Sequence, residues 1–213
     1  MSQDELNIEI LKILNSVKNS KILDIGPGDF RHKIENFSKF NNKYFPIDVK
    51  KSGHTISNKK FAKFYDGVNI PYKSDFFDFV IFTETVEHVE QPNKLKQDIH
   101  RVLKKKGKVL ITVPFLFAEH EMPYDFRRFT LDGLIKLFNH NKEYTIQKKK
   151  KLFQGISSIE RLISSELIKT KKVDNYLVDK IIRHSLKIIF YFIGIFYKFD
   201  NSYGGSLILL KKK

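Results

Sequence analysis

The stretch Lys21-Ile-Leu-Asp-Ile-Gly-Pro-Gly28 decides the fold of this 213-residue chain. Its apolar run through Ile25 ends abruptly at Gly26-Pro27-Gly28, which is typical of a buried parallel strand that breaks into a tight turn. Glycines let a ligand approach the backbone closely, and ligands bind at the carboxyl ends of strands in open α/β sheets. We therefore predict a ligand site at residues 26–28, here called the glycine turn.

The residues around the glycine turn indicate what it binds. A dinucleotide-binding turn has a third glycine at the position where this chain has Arg31. Asp24 and Asp29 flank the turn and favour a cationic ligand over a phosphate. Asp48 closes the next apolar run, about twenty residues on, where an acid can accept hydrogen bonds from both ribose hydroxyls. The sequence therefore predicts a ligand that has a ribose and a positive charge.

These features resemble the motifs of the class I S-adenosylmethionine (SAM)-dependent methyltransferases, which are Asp/Glu-x-Gly-x-Gly-x-Gly and an acid that closes the second strand. Phe30 replaces the last glycine of the first motif. The resemblance implies SAM as the cofactor and adds contacts at Asp66-Gly67, where a plain loop turn is the alternative, and at Glu84. The predicted cofactor-binding residues are Asp24, Gly26, Gly28, Asp48, Asp66, Gly67 and Glu84.

The resemblance also implies the fold class, a Rossmann-like α/β fold whose mostly parallel sheet is flanked by helices and has an antiparallel last strand. The sequence pattern predicts helices at residues 4–17, 31–40, 95–103 and 131–138, and strands at 44–48, 76–82, 109–113 and 144–153. The resemblance implies that residues 206–210 form the last strand and pair with the strand at 144–153. The basic run Lys104-Lys-Lys-Gly107 is interpreted as a helix end with a glycine stop. Residues 153–202 are predicted to be a helical insertion in a single domain, whose core comprises residues 1–152 and 203–213.

A second informative stretch is residues 114–130, here called the histidine loop, which follows a strand at the same sheet edge as the glycine turn. It resembles a His-x-x-Pro-x-Asp-(Phe/Tyr)-x-Arg-(Phe/Tyr)-Thr signature in a subgroup of these methyltransferases found among bacterial surface-glycan enzymes. We predict that His120 is a general base and that Asp125 orients it. The predicted substrate contacts are His88, Tyr124, Arg127 and Arg128.

A structural alternative exists for the histidine loop and for His88. Asp125 and the two arginines can form an ion-pair cluster, while Thr130 caps the helix that follows. His88 can be a packing residue beside the site. The sequence alone leaves both interpretations open.

Composition excludes several classes of site and partner. The chain has no cysteine, which excludes disulfides, thiolate metal sites and cysteine nucleophiles, and we predict no metal site. A net charge of +15 suggests nucleic acid or an anionic membrane as a partner. The sequence has no compact arginine-rich or aromatic-basic patch, so nucleic acid is not predicted as a partner. Residues 2–9 are polar and acidic, so we expect no secretory signal and a cytoplasmic location.

The run from Ile188 to Tyr197 is apolar on nearly every face. It is shorter than the roughly twenty residues that a bilayer crossing requires. We predict that this helix is buried in the domain or in a homodimer. Peripheral membrane contact through residues 181–199, at the inner face of the membrane, is the alternative.

The combined prediction is a SAM-dependent methyltransferase that acts on a small-molecule or glycan-type acceptor, at a hydroxyl, in bacterial surface polysaccharide or related biosynthesis. An RNA methyltransferase is one alternative, although no Asn-Pro-Pro-Tyr-type motif follows Phe82. A non-catalytic SAM-binding protein on the same fold is another, since fold alone does not give function. A nicotinamide-dependent oxidoreductase is disfavoured by Arg31 and by the acidic turn.

Overall fold

The computed structural model describes residues 2–28, 40–50, 63–170, 176–197 and 201–213. These residues form a seven-stranded sheet with the order β3-β2-β1-β4-β5-β7-β6. Strands β1 to β5 pair in parallel, whereas β7 is antiparallel to both β5 and β6. The predicted Rossmann-like architecture is therefore confirmed. The strands are β1 (Lys21–Ile25), β2 (Lys43–Val49), β3 (Lys63–Tyr65), β4 (Phe77–Thr83), β5 (Leu103–Pro114), β6 (Tyr144–Gln154) and β7 (Tyr203–Lys212).

Helices cover both faces of the sheet, which is why the central strands are apolar at nearly every position. Ile22 packs into the cluster that includes Leu6 and Leu14 of the first helix, while the next residue, Leu23, packs into the cluster on the opposite face. That opposite face is covered by the second and third helices. The helices of the described residues are α1 (Ser2–Leu14), α2 (Pro92–Val102), α3 (Leu131–Asn139), α4 (Ile156–Thr170) and α5 (Tyr176–Phe196), with a short 3₁₀ helix at Val86–His88.

The helix boundaries follow local chemistry. Thr130 caps α3 as predicted, because its Oγ1 accepts a hydrogen bond from the backbone N–H of Gly133. The predicted helix end at Lys104–Gly107 is wrong, since α2 ends at Val102 and β5 begins at Leu103. Lys104 is held in the sheet by Asp78 of β4, whose carboxylate lies 2.7 Å from its Nζ.

Helix α1 is attached to the edge strand β6 by ion pairs. The buried carboxylate of Glu9 lies 2.5 Å from Nζ of Lys148 and 3.1 Å from Nζ of Lys150. These contacts lower the pKa of Glu9 to about 2. The hydrogen bonds therefore need the ionised form of the carboxyl group.

The predicted helical insertion forms α4 and α5, between β6 and β7. The prediction that its second helix, α5, is buried in the domain is wrong. Eleven large apolar side chains of residues 177–197 are exposed, among them Ile181 at 64% and Phe196 at 77%. Phe190 is buried, at 8%, and Leu186 and Ile193 are half-buried. No helix in the described part of the chain combines the length and the apolar character that a bilayer crossing needs.

Two predicted segments lie wholly or partly outside the described residues. They are the helix expected over residues 31–40, with Asp29, Phe30 and Arg31 beside the glycine turn, and the last residues of the segment 181–199.

Candidate active site

The glycine turn follows β1 at the carboxyl edge of the sheet. Gly26 and Gly28 have φ angles of +65° and +59°, a left-handed conformation that glycine adopts without the strain that side chains suffer. A Cβ atom on Gly26 would lie 2.6 Å from Cγ2 of Thr85, whereas one on Gly28 would meet no atom of the described residues within 4 Å. Gly26 is thus required by packing, and Gly28 leaves the backbone open to a ligand.

Asp24 lies in β1, two residues before Gly26, and its side chain is inside the protein. Its side chain is fully buried in β1, where Oδ2 accepts a hydrogen bond of 2.5 Å from the hydroxyl group of Tyr44 on β2. Burial and the neighbouring carboxylate raise the pKa of Tyr44, which keeps that hydroxyl a donor. This hydrogen bond gives Asp24 a contact within the sheet, and its contact with the cofactor stays a prediction.

Asp48 and the Asp66-Gly67 turn lie beside the glycine turn. The N–H of Gly26 donates to the carbonyl oxygen of Ile47, which places Asp48, at the end of β2, next to the turn. A Cβ atom on Gly67 would lie 3.5 Å from Cγ1 of Val49, so the second turn contacts the same strand end. The structure brings these predicted cofactor residues together at the ends of β1, β2 and β3.

The carboxylate of Asp66 forms hydrogen bonds within its own turn. It accepts hydrogen bonds from the backbone N–H groups of Val68 and Asn69 and from the side-chain amide of Asn69. Those bonds lower the pKa of Asp66. The plain-turn interpretation of the Asp66 side chain fits this geometry, and the ligand contact at Gly67 stays a prediction.

Glu84 lies at the carboxyl end of β4 with a φ angle of +49°. Its Oε2 is 3.6 Å from Nη2 of Arg161, a residue of α4 that also packs over the rings of Phe117 and Phe153. The inserted helices therefore supply one charged group to the site. Sequence reasoning missed Arg161, because nothing in the local pattern of α4 distinguishes an inward-facing arginine from a surface one.

The centre of the histidine loop is a buried carboxylate. Asp125 has no exposed side-chain surface, and its Oδ2 lies 3.2 Å from Nδ1 of His120 and accepts a hydrogen bond from the His120 N–H. Arg128 donates to both carboxylate oxygens, at 2.5 and 2.6 Å. Burial alone would raise the pKa of Asp125, but the hydrogen bonds from Arg128 outweigh it and bring the pKa to about 2.

The two arginines of the loop are both engaged by acceptors within the protein. Arg128 also lies within hydrogen-bond distance of the carbonyl oxygens of Phe117 and Ala118. Arg127 donates to the carbonyl oxygens of Val89 and Glu90 and so attaches the loop to the segment after the 3₁₀ helix. This geometry favours the framework interpretation of both arginines over the predicted grip on an acceptor.

His88 and His120 meet where the 3₁₀ helix faces the histidine loop. Their rings contact edge to face, with centroids 4.8 Å apart. Nδ1 of His88 lies 2.8 Å from the carbonyl oxygen of Tyr124, and its Nε2 is 3.7 Å from Oε1 of Glu87. Burial lowers the pKa of His120, although Asp125 opposes the shift, so the imidazole is neutral at neutral pH.

The glycine turn and the histidine pair are parts of one site. The side chain of Thr85 packs against Gly26, and the carbonyl oxygen of Thr85 accepts a hydrogen bond from the N–H of His88. Thr85 therefore contacts both the glycine turn and the backbone of His88. Such an arrangement can hold a nucleoside at one end and accept a proton at the other.

Comparisons with known proteins agree with this geometry. The profile of a family described as a methyltransferase domain matches residues 3–155. The uncharacterized protein MJ1123 of Methanocaldococcus jannaschii is 30% identical over 107 residues, which cover 49% of this chain and 50% of that protein. The match thus spans about half the length of this curated relative.

Solved structures share the fold at low sequence identity. A geranyl diphosphate methyltransferase in complex with SAM has a TM-score of 0.64 at 10% identity, over 98% of this chain and 85% of the other. The [4+2]-cyclase SpnF has a TM-score of 0.64 at 14% identity, over 96% and 80% of the two chains. The presence of a cyclase on this fold means that the chemistry has to be argued from the site.

Proposed function

The chain belongs to the methyltransferase domain family, and from this premise we propose that it binds SAM at the glycine turn and transfers the methyl group to a hydroxyl of a small-molecule or glycan-type acceptor. The observation that carries the proposal is the continuous contact from Gly26 through Thr85 to His88, which joins a nucleoside-binding turn to a pair of imidazoles.

The cofactor end of the site suits SAM. The described residues leave the backbone of Gly28 accessible, and we expect Asp48, near the end of β2, to accept hydrogen bonds from the ribose. The related geranyl diphosphate methyltransferase was solved with SAM. In the proposed binding mode, Gly67 contacts the adenine side and Glu84, at the end of β4, faces the methionine part.

The acceptor end of the site suits a reaction that releases a proton. Methyl transfer from a sulfonium is an in-line displacement, in which the acceptor oxygen bonds to the methyl carbon and the carbon–sulfur bond breaks. The hydroxyl proton must then go to a base. His120 is neutral at neutral pH, and Asp125 stabilises the imidazolium that forms when Nε2 takes the proton.

The class of acceptor is inferred from the rim of the histidine loop. Tyr124 packs edge to face with Phe126, and Phe126 and Met122 are exposed at 40% and 66%. Aromatic faces beside hydrogen-bonding groups suit a sugar ring or a similar hydroxylated molecule. This supports a glycan-type acceptor in surface polysaccharide or related biosynthesis, with the reaction in the cytoplasm.

The exposed face of α5 is proposed as a homodimer contact. Its exposed side chains include Ile189, Phe192 and Ile195, and large exposed apolar patches mark interaction surfaces. A symmetric dimer would bury the same surface on both copies.

Two measurements test the proposed function. Calorimetry is expected to show SAM and its demethylated product binding in the micromolar range, with NAD⁺ as the negative control. Mass spectrometry with SAM carrying a labelled methyl group is then expected to find the label in hydroxylated small molecules or glycan precursors. Binding of NAD⁺ without SAM would contradict the cofactor assignment, and label found in RNA alone would contradict the acceptor class.

A further inference from the structure

Three side chains that are distant in the sequence meet beside the proposed methyl-transfer site. One potential ligand atom each from Glu87, His88 and His120 lies within 4.8 Å of the other two. Glu87 and His88 are 3.7 Å apart at Oε1 and Nε2, and Oε1 of Glu121 is 3.9 Å from the same Nε2. Ligand atoms bound about 2.1 Å from one metal ion lie about 3 to 4 Å apart, so a small side-chain adjustment completes the set.

Glu87 is an unusual group for a protein interior. Its side chain is fully buried, and neither carboxylate oxygen has a hydrogen-bond partner among the described residues. Nε2 of His88 likewise has none there. Buried polar groups are rarely left unsatisfied, because each one costs free energy. A cation between these atoms would satisfy both residues at once.

The second ring nitrogens are already held as metal-binding histidines require. Nδ1 of His88 lies 2.8 Å from the carbonyl oxygen of Tyr124, and Nδ1 of His120 lies 3.2 Å from the carboxylate of Asp125. Such outer contacts fix the tautomer, and they aim the lone pair of the other nitrogen at the ion. The nearby cation Arg128 donates its hydrogen bonds to Asp125, so among the described residues it leaves the Glu87 oxygens without a hydrogen bond.

We infer that Glu87, His88 and His120 bind a divalent first-row transition-metal ion, with Glu121 as a nearby carboxylate that can join them. Two imidazoles and a carboxylate suit Mn²⁺, Fe²⁺, Co²⁺ or Zn²⁺ better than they suit the all-oxygen preference of Ca²⁺. No metal site was predicted from the sequence, since the ligands come from the 3₁₀ helix and from a loop that follows a different strand.

The binding of the ion does not depend on the proposed function. Its role in the reaction does, and in that respect the inference rests on the proposed function and deepens it. A bound cation would lower the pKa of a hydroxyl that coordinates to it, so the acceptor would release its proton to solvent water and its oxygen would bond to the methyl carbon as the carbon–sulfur bond breaks. His120 would then be a ligand instead of the base. If His120 is a ligand, a chelator should lower turnover and His120 variants should bind metal more weakly. If His120 is only the base, a chelator should leave turnover unchanged.

The experiment uses the full chain, freed of metal by EDTA and dialysis, with Co²⁺ as the probe. Calorimetry should find one Co²⁺ per chain, and visible absorption should show the d–d bands of an ordered site. Glu87→Gln and His88→Gln should each weaken Co²⁺ binding about a hundredfold or more, because a lost ligand costs at least as much as a lost outer contact. His140→Gln, which changes an exposed histidine outside the cluster, should leave binding unchanged.

Thermal melting of each variant shows whether the chain still folds, and Glu87→Gln keeps the shape of the side chain if His88→Gln does not fold. Equal Co²⁺ affinity in the original chain and in folded Glu87→Gln overturns the inference, as does a chain that binds no Co²⁺. Because no SAM is present, failure of the methyltransferase proposal would leave this result intact. Loss of Co²⁺ binding in the cluster variants would support the site even if no acceptor were found.

Discussion

Oδ2 of Asp125 lies 3.2 Å from Nδ1 of His120, while both oxygens of the same carboxylate accept hydrogen bonds from Arg128. One buried acid thus orients the imidazole and is itself oriented by a guanidinium. The ion pair with Arg128, on which the framework interpretation rests, and the contact with His120, on which the chemical interpretation rests, therefore share one carboxylate. Substitutions can separate their contributions.

His120→Gln should lower turnover about a hundredfold or more and leave SAM affinity unchanged, because base catalysis typically contributes about 10²–10⁴ and the cofactor binds at the glycine turn. Steady-state kinetics and calorimetry measure the two quantities. His140→Gln is the matched control. A variant in which turnover, SAM affinity and melting temperature fall together would show that the loop is only a scaffold.

Asp48→Ala should abolish measurable SAM binding while the chain still folds. The expected loss comes from two charge-assisted hydrogen bonds to the ribose, each worth about 1.5–3 kcal/mol. Calorimetry is the measurement, and Asp132→Ala, which removes an exposed acid from α3, is the control. Unchanged SAM affinity in Asp48→Ala would place the ribose elsewhere.

Gly26→Ala and Gly28→Ala form a matched pair at similar positive φ angles. Both add backbone strain of about 1 kcal/mol, but the new Cβ of Gly26→Ala also approaches Thr85 to 2.6 Å. We expect Gly26→Ala to lower the free energy of unfolding clearly more than Gly28→Ala in urea titrations. Gly28→Ala should instead weaken SAM binding, since its methyl group enters the space left for the ligand. The reverse pattern would exclude this geometry of the turn.

Glu9 should make the attachment of α1 to β6 sensitive to acid. Its pKa of about 2 in the folded chain is below the ordinary value of 4.5. Between pH 2 and pH 4.5 the folded state therefore binds fewer protons than the unfolded state. The stabilisation is complete above about pH 4.5 and is lost as the pH falls through about 2. Glu9→Gln should cost about 1 kcal/mol at pH 7 and almost nothing near pH 2. Urea titrations at both values decide it, and a cost that does not change with pH would contradict the assignment.

The exposed face of α5 should make the protein self-associate. Phe192→Ser together with Phe196→Ser should shift sedimentation at micromolar concentration from dimer to monomer, whereas Ile8→Ser, which alters an exposed apolar residue of α1, should not. The outcome that favours a membrane is different. It would be a monomeric original chain that binds anionic vesicles at physiological salt and loses that binding in the double variant.

The sheet could be predicted from the sequence, because strand periodicity and the glycine turn are local signals. The pairing of β7 with β6 came from the resemblance, which implies a last antiparallel strand, and residues 206–210 were the apolar run that could form it. The position of Asp24 shows where local patterns stop being informative. Its place in the motif suggested a ligand contact, whereas its side chain is buried against Tyr44 of the neighbouring strand.

Other features of the molecule could not be predicted for a similar physical reason. The cluster of Glu87, His88 and His120 depends on how a loop folds back over a 3₁₀ helix, which no sequence period encodes. The hydropathy of α5 showed that its side chains need an apolar environment. It did not show whether the same chain supplies that environment.

The position of β7 has a consequence for biosynthesis. Lys211 of β7 pairs with Lys108 of β5 on one side and with Thr145 of β6 on the other. On the ribosome, both neighbours are made long before the strand that belongs between them. Their facing edges stay open while α4 and α5 are translated, and open strand edges are templates for incorrect pairing. The nascent chain is therefore most vulnerable to aggregation just before its final strand emerges.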